Sequence, residues 1–108
     1  MCGIAGILGN GNLSDANSMV SAIIHRGPDG SGFFKEDVKQ GVGTITFGHS
    51  RLSIIDLLNS NQPIESDHGC TLLFNGEIYN YISLREKLTD YPFRTNGDGE
   101  SILALHKK

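Results

Sequence analysis

The clearest hydrophobic pattern in the chain is a helical stripe in its first quarter. Its apolar members follow the spacing i, i+3, i+4, i+7 and i+8, and they are Ala16, Met19, Val20, Ile23 and Ile24. This spacing places apolar side chains on one face of a helix. We therefore predict an amphipathic helix that Ser14 caps at its N-terminus and that Gly27-Pro28 ends.

Short apolar runs outside this helix predict strands. Residues 4–8 form one such run between glycines, close to the N-terminus. Residues 33–34, 42–47 and 71–74 form three more, with polar or turn-forming residues between them. Asn75-Gly76 follows the last run directly and is the dipeptide typical of a two-residue hairpin turn.

The rest of the chain contains two shorter predicted helices and one undecided run. Asn80 would cap a helix that ends near Pro92, and Asp98 would cap a last helix. Residues 29–32 are predicted to be a loop, and the apolar run 52–57 fits either a strand or a helix. Short strands with helices between and after them are typical of an α+β domain built in layers.

Composition narrows the class of protein. With 108 residues the chain allows one small domain. Its 14 glycines are about twice the average share, which favours tight turns over a helical bundle. Its 9 basic and 12 acidic residues leave a net charge of −3, so it lacks the positive field that nucleic acid or an anionic membrane would require.

The sequence carries neither a targeting signal nor the spacing of a metal site. No stretch approaches the ~20 apolar residues of a membrane span, and the N-terminus lacks the basic region of a signal peptide. We expect a reduced, cytoplasmic setting, in which a disulfide between Cys2 and Cys70 is only a structural alternative. His68-Gly69-Cys70 is the one close pair of metal-ligating residue types. No second pair has a zinc-like spacing, so no metal site is predicted.

Cys2 is the first candidate for chemistry because it follows the initiator methionine. If Met1 is removed, the thiol and a free α-amine belong to the same residue. The ordinary pKa of an α-amine, ~7.7–8.0, lies close to neutrality, so the amine could act as general base and acid. The structural alternative is a small buried residue at the start of a strand.

Four further segments change the weight given to Cys2. They lie at positions 25–32, 48–56, 74–80 and 98–100, and they read His-Arg-Gly-Pro-Asp-Gly-Ser-Gly, Gly-His-Ser-Arg-Leu-Ser-Ile-Ile-Asp, Phe-Asn-Gly-Glu-Ile-Tyr-Asn and Asp-Gly-Glu. Together with Met-Cys-Gly-Ile-Ala-Gly at the N-terminus, and in this order, they resemble the class II glutamine amidotransferases, which are N-terminal-nucleophile (Ntn) hydrolases. The residues in these motifs, and the absence of tryptophan from the sequence, are most similar to those of the glutaminase domain of glutamine-hydrolysing asparagine synthetases.

The resemblance implies a catalytic group of three residues. Cys2 would attack the side-chain amide carbon of glutamine. The Asn75 side-chain amide and the Gly76 N–H would donate hydrogen bonds to the resulting oxyanion. Ammonia would leave with a proton from the α-amine, and water would release glutamate from the thioester.

The resemblance also implies how glutamine is held. Arg51 would bind its α-carboxylate and Asp98 its α-ammonium, because their charges are opposite to those groups. Glu77 and the backbone of Leu52, Ser53 and Ile54 would line the same pocket. The segment 26–32 resembles a mobile loop that would cover it, whereas His25 and His49 are interpreted as structural.

The implied fold is the first part of an αββα sandwich of two antiparallel sheets. Residues 1–108 would be the N-terminal part of a glutaminase domain. Glutamine would be its substrate, and this half reaction would need no metal or cofactor. ATP, Mg²⁺ and an acceptor such as aspartate would belong to a synthetase domain that is absent here. A homodimer of the full-length enzyme stays open.

Two alternatives remain beside this hypothesis. The glutaminase domain of the family is longer than this chain, so these residues could form a non-catalytic fragment or a remnant that binds a partner. The related branch also includes enzymes that amidate other carboxylates, such as sugar acids. One local departure is Gly99, where the family usually has a hydroxyl residue, and this could loosen the helix start beside Asp98.

Overall fold

The computed structural model describes residues 2–38, 43–52 and 61–108. Its strands are β1 (Gly3–Gly9), β2 (Gly30–Val38), β3 (Gly43–Arg51), β4 (Ile64–Glu65) and β5 (Thr71–Leu72). Its helices are α1 (Leu13–Ala22), α2 (Tyr81–Lys87) and α3 (Glu100–Lys107), with a 3₁₀ turn at Ile24–Arg26. Within these ranges, every helix is too short or too polar to cross a lipid bilayer.

An antiparallel three-stranded sheet in the order β1-β3-β2 forms one half of the structure. The register pairs Gly3 with Ser50 on one side of β3 and Gly30 with Arg51 on the other. Cys2, at the start of β1, therefore lies at the same end of the sheet as Arg51. The prediction of a loop over 29–32 is wrong from Gly30 onward, because the backbone there pairs with the end of β3.

Helix α1 covers one face of this sheet. Ala16 and Val20 are buried beneath it, as the apolar stripe predicted. Met19 and Ile24 of the same stripe are exposed, and α1 ends at Ala22, before the predicted end at Gly27-Pro28. A Cβ on Gly48 of β3 would lie 2.4 Å from Val20 Cγ2, so glycine lets the helix approach the sheet closely. The predicted cap at Ser14 is wrong. Asn12 caps the helix, because its Oδ1 accepts from the Asp15 N–H at 2.9 Å and the Asp15 carboxylate accepts from the Asn12 N–H in return.

The other face of the sheet is apolar but only partly covered. Phe34 and Phe47 stack there with ring centroids 6.2 Å apart. Ile4 and Leu8 on the same face are 52% and 66% exposed. On the opposite edge of this face, the chain at Gln62 crosses so near to the sheet that only glycine fits at position 32 of β2. A Cβ there would lie 1.6 Å from the Gln62 carbonyl oxygen.

A second core lies between the β4–β5 ladder and the two later helices. Its buried members are Ile64, Leu88, Tyr91, Leu103 and Ala104. The predicted helices near Asn80 and Asp98 are both present, as α2 and α3. Antiparallel sheets combined with helices confirm the predicted α+β class, whereas the αββα sandwich stays a prediction.

Asn75-Gly76 does not form the predicted hairpin turn. Strand β5 ends at Leu72, and within the described residues the next regular element is α2. The Phe74 backbone pairs instead with a side chain, that of Gln62. The segment therefore runs as an extended loop toward the end of β3.

Candidate active site

A cleft opens where the end of β3, the Gly76 segment and the start of α3 meet. The cleft is small and is open to solvent on one side. Its lining contains six of the nine site residues predicted from the sequence: Cys2, Arg51, Leu52, Gly76, Glu77 and Asp98. Gln62, Ile64, Phe74 and Gly99 complete the lining.

The Cys2 thiol lies against the backbone of the residue that follows β3. Its Sγ accepts a hydrogen bond from the Leu52 N–H at 3.3 Å and lies 3.6 Å from the Leu52 carbonyl oxygen, to which it can donate. The Cys2 carbonyl accepts from Arg26 Nε at 3.3 Å. The predicted nucleophile is thus held in the cleft wall through both its side chain and its backbone carbonyl.

Arg51 is a buried cation in the wall of the cleft. The residue is only 6% exposed, and its Nη1 donates to Asn61 Oδ1 at 2.7 Å. Its backbone carbonyl accepts from the Asp29 N–H at 2.9 Å, so the end of β3 is fixed on both sides. A guanidinium offers five donors in a planar fork, which matches the two oxygens of a carboxylate.

Asp98 does not cap α3 as predicted. Gly99 occupies the cap position, and Asp98 Oδ2 accepts from the Ile78 N–H at 2.7 Å instead. This bond joins the segment at Gly76 and Glu77 to the start of α3, because Ile78 directly follows Glu77. The carboxylate consequently lines the cleft rather than the helix end.

Gln62 and His49 hold the backbone just before Asn75. Gln62 Nε2 donates to the Phe74 carbonyl at 3.0 Å, and Gln62 Oε1 accepts from the Phe74 N–H. His49 Nε2 also reaches the Phe74 carbonyl, at 3.3 Å. Gln62 was not among the predicted site residues, because a side chain that pairs with backbone, as a strand would, leaves no pattern in the sequence.

His49 is a neutral donor in this arrangement. The ring is completely buried, and burial is the main reason that the pKa of His49 lies below its ordinary value. Since a carbonyl oxygen can only accept, Nε2 must carry the proton. The prediction that His49 is structural agrees with this contact.

Comparison with known sequences decides the family. The sequence model of the glutamine amidotransferase domain matches residues 1–108. The chain belongs to this family. It is 39% identical over 99% of its length to "Asparagine synthetase [glutamine-hydrolyzing] 1" of Bacillus subtilis (strain 168), of which it covers 18%. It is 36% identical over its whole length to "Asparagine synthetase [glutamine-hydrolyzing]" of Asparagus officinalis, of which it again covers 18%. The amidotransferase domain described here therefore spans less than a fifth of the length of these relatives.

Two predicted parts of the amidotransferase site are not in the cleft lining. Asn75 is half-buried and lies outside it, although its neighbour Gly76 lies within. The predicted covering loop at 26–32 contributes no lining residue from the described part of the chain. Its Arg26 supports Cys2, and Gly27 packs under Ser50, whose Oγ donates to the Gly27 carbonyl at 2.6 Å. Ser53 and Ile54 lie outside the described residues.

Glu100 holds the loop that precedes Asp98. It was not among the site residues predicted from the sequence. It is 2% exposed, and its carboxylate accepts from the Arg94 N–H at 3.0 Å, the Thr95 N–H at 2.9 Å and Thr95 Oγ1 at 2.7 Å. Arg85 supports the same loop by donating to the Gly97 carbonyl at 3.1 Å. Glu100 belongs to the Asp-Gly-Glu motif at positions 98–100, but nothing in that motif indicates that its carboxylate binds the loop at 94–95.

Proposed function

We propose that this amidotransferase domain hydrolyses glutamine to glutamate and ammonia, with Cys2 as the nucleophile. The observation that carries the proposal is the convergence of Cys2, Arg51 and Asp98 on one cleft from distant parts of the chain. These three groups suit a free amino acid as substrate. The thiol can attack its side chain, the buried cation can bind its α-carboxylate and the carboxylate can bind its α-ammonium.

The proposed reaction starts when removal of Met1 frees the α-amine of Cys2. The amine takes the thiol proton, and Sγ bonds to the amide carbon of glutamine. The resulting oxyanion would accept hydrogen bonds from the Gly76 N–H and from the Asn75 side-chain amide. The carbon–nitrogen bond then breaks, the protonated amine returns its proton to the leaving nitrogen, and ammonia departs. Water attacks the thioester, which releases glutamate and restores the thiol.

Arg51 and Asp98 would select the substrate. The Arg51 guanidinium pairs with the α-carboxylate, and the Asp98 carboxylate pairs with the α-ammonium. A peptide-bound glutamine lacks both charges and would not form these two ion pairs. Glu77 would hold the rest of the ligand, together with the backbone of Leu52, Ser53 and Ile54.

We further propose that the ammonia serves an ATP-dependent, amide-forming ligase of asparagine synthetase type. The names of the relatives and the small share of their length that this chain covers support this proposal. The glutaminase half reaction would use no cofactor, while ATP and Mg²⁺ would act at the ligase. The apolar sheet face at Ile4 and Leu8 would be covered by a second sheet, which would complete an αββα sandwich.

Glutamate release from glutamine by the purified protein tests the proposal. The wild type should produce glutamate, and Cys2→Ala should produce none above background. Thermal unfolding of both proteins provides the control for folding. Glutamate production that survives in Cys2→Ala would remove Cys2 from the mechanism.

A further inference from the structure

Three side chains that commonly bind metals meet on the side of the second core. His68 and Cys70 belong to the turn between β4 and β5, and His106 belongs to the last turn of α3. Their ligand atoms all lie within 4.8 Å of one another. None of the three lines the amidotransferase cleft, so this cluster is separate from the site that contains Cys2.

We propose that His68, Cys70 and His106 form a binding site for a zinc-like divalent ion. Cys70 Sγ lies 3.5 Å from His106 Nδ1. In a tetrahedral zinc site with ordinary bond lengths, a sulfur and a nitrogen ligand lie about 3.6 Å apart. The observed edge therefore already has the length that a shared ion imposes, while the edges to His68 are at most 4.8 Å long.

His68 is oriented as a ligand by its neighbours. Its Nδ1 lies 3.4 Å from Asp67 Oδ1, whereas its Nε2 is buried and has no hydrogen-bond partner within the described residues. The His68 ring stacks on the His106 ring at an interplanar angle of 16°. A carboxylate on one ring nitrogen and a metal on the other is the usual arrangement around zinc-binding histidines.

The ligand types indicate which ion would bind. A thiolate and two imidazoles are soft or borderline donors, which suit zinc and related transition metals rather than Mg²⁺ or Ca²⁺. Three protein ligands leave a fourth tetrahedral position for water or another small ligand. The ion would connect the β4–β5 turn to the end of α3, and it would stabilise the folded state by binding it preferentially.

Titration with Zn²⁺ and Co²⁺ tests the site directly. The reduced, purified protein should take up one Zn²⁺ per chain in competition with a chromophoric chelator. Its Co²⁺ form should show the near-ultraviolet charge-transfer band of a cobalt–thiolate bond. Cys70→Ser should abolish this band, and His106→Ala should weaken Zn²⁺ binding by at least about 100-fold. Asp67→Asn keeps the three ligands but removes the carboxylate that orients His68. It should therefore weaken Zn²⁺ binding by about 10- to 100-fold.

Matched variants at the other cysteine and at an exposed histidine control for nonspecific binding. Cys2→Ala and His25→Ala should keep both the Zn²⁺ affinity and the cobalt band, and far-ultraviolet circular dichroism should show that every variant is folded. Absence of stoichiometric Zn²⁺ binding at micromolar metal by the wild type would overturn the proposal. A cobalt–thiolate band that persists in Cys70→Ser or disappears in Cys2→Ala would overturn it as well. Neither outcome depends on glutamine hydrolysis.

Discussion

The Asp98 carboxylate accepts a hydrogen bond from the Ile78 N–H at 2.7 Å. This contact joins the loop that carries Gly76 and Glu77 to the start of α3. It also places a negative charge in the wall of the cleft that Cys2 and Arg51 share. Asp98 therefore has two separable tasks: it accepts a backbone hydrogen bond, and it supplies charge for the proposed substrate ammonium.

Asp98→Asn should separate these tasks. The amide oxygen can still accept from the Ile78 N–H, so the melting temperature should change little. Loss of the charge should lower kcat/KM for glutamine by about 10- to 100-fold, the value of a hydrogen bond to a charged group. The exposed Asp90→Asn is the matched control and should leave kcat/KM unchanged. Unaltered kinetics in Asp98→Asn would remove Asp98 from substrate binding.

Asn75→Ala should reduce turnover much more than substrate binding. Removing one donor to an oxyanion typically lowers kcat by about 10²- to 10³-fold. The KM for glutamine should stay nearly constant, because the donor acts only when the oxyanion forms. Steady-state kinetics of glutamate release provide the measurement. A rise in KM with unchanged kcat would assign Asn75 to ground-state binding instead.

Two glycines in β2 provide a matched pair for testing the close approach of the chain at Gln62. A Cβ on Gly32 would lie 1.6 Å from the Gln62 carbonyl oxygen, whereas a Cβ on Gly30 has nothing within 4 Å. Gly32→Ala should destabilise the fold by at least about 1–3 kcal/mol, because backbone must move to make room. Gly30→Ala should be close to neutral. Urea unfolding of the two variants compares them, and equal midpoints would show that the Gln62 crossing is not tight.

The buried His49 should make stability depend on pH. Burial lowers the pKa of His49 below its ordinary value of 6.5, so the unfolded chain takes up a proton at a higher pH than the folded protein does. The free energy of unfolding should therefore fall as the pH drops below about 6.5, until the folded-state pKa is reached. The slope from one such group is at most about 1.4 kcal/mol per pH unit.

Urea unfolding between about pH 5 and pH 8 measures this slope. His49→Asn should remove the contribution of His49 and flatten the curve below pH 6.5. The exposed His25→Asn is the control and should keep the slope of the wild type. An identical pH profile in His49→Asn would show that another group causes the decline.

Short sequence motifs predicted the main groups of the cleft, because the proposed glutamine hydrolysis depends on particular residue types that can be read directly from the sequence. Cys2, Arg51 and Asp98 each lie in a short, specific motif, and the cleft contains all three. The helical stripe likewise predicted α1, since Ala16 and Val20 are its buried members.

The contacts that hold the site together were not predictable in the same way. Gln62 and Glu100 bind backbone groups whose positions arise only from the tertiary fold. Ser14 and Asn12 are both able to cap a helix, and the reciprocal bond with Asp15 decides between them. His106 lies 36 residues from Cys70, so no spacing rule connects the two residues.

The intact mass of the protein, before and after incubation with an electrophilic glutamine analogue, tests the central claim most directly. The initial mass should show that Met1 is absent. One adduct should then form, glutamine should block it, and Cys2→Ala should not form it. An adduct that persists in Cys2→Ala, or no adduct on a protein that has lost Met1, would contradict the assignment of Cys2 as the nucleophile of this cleft.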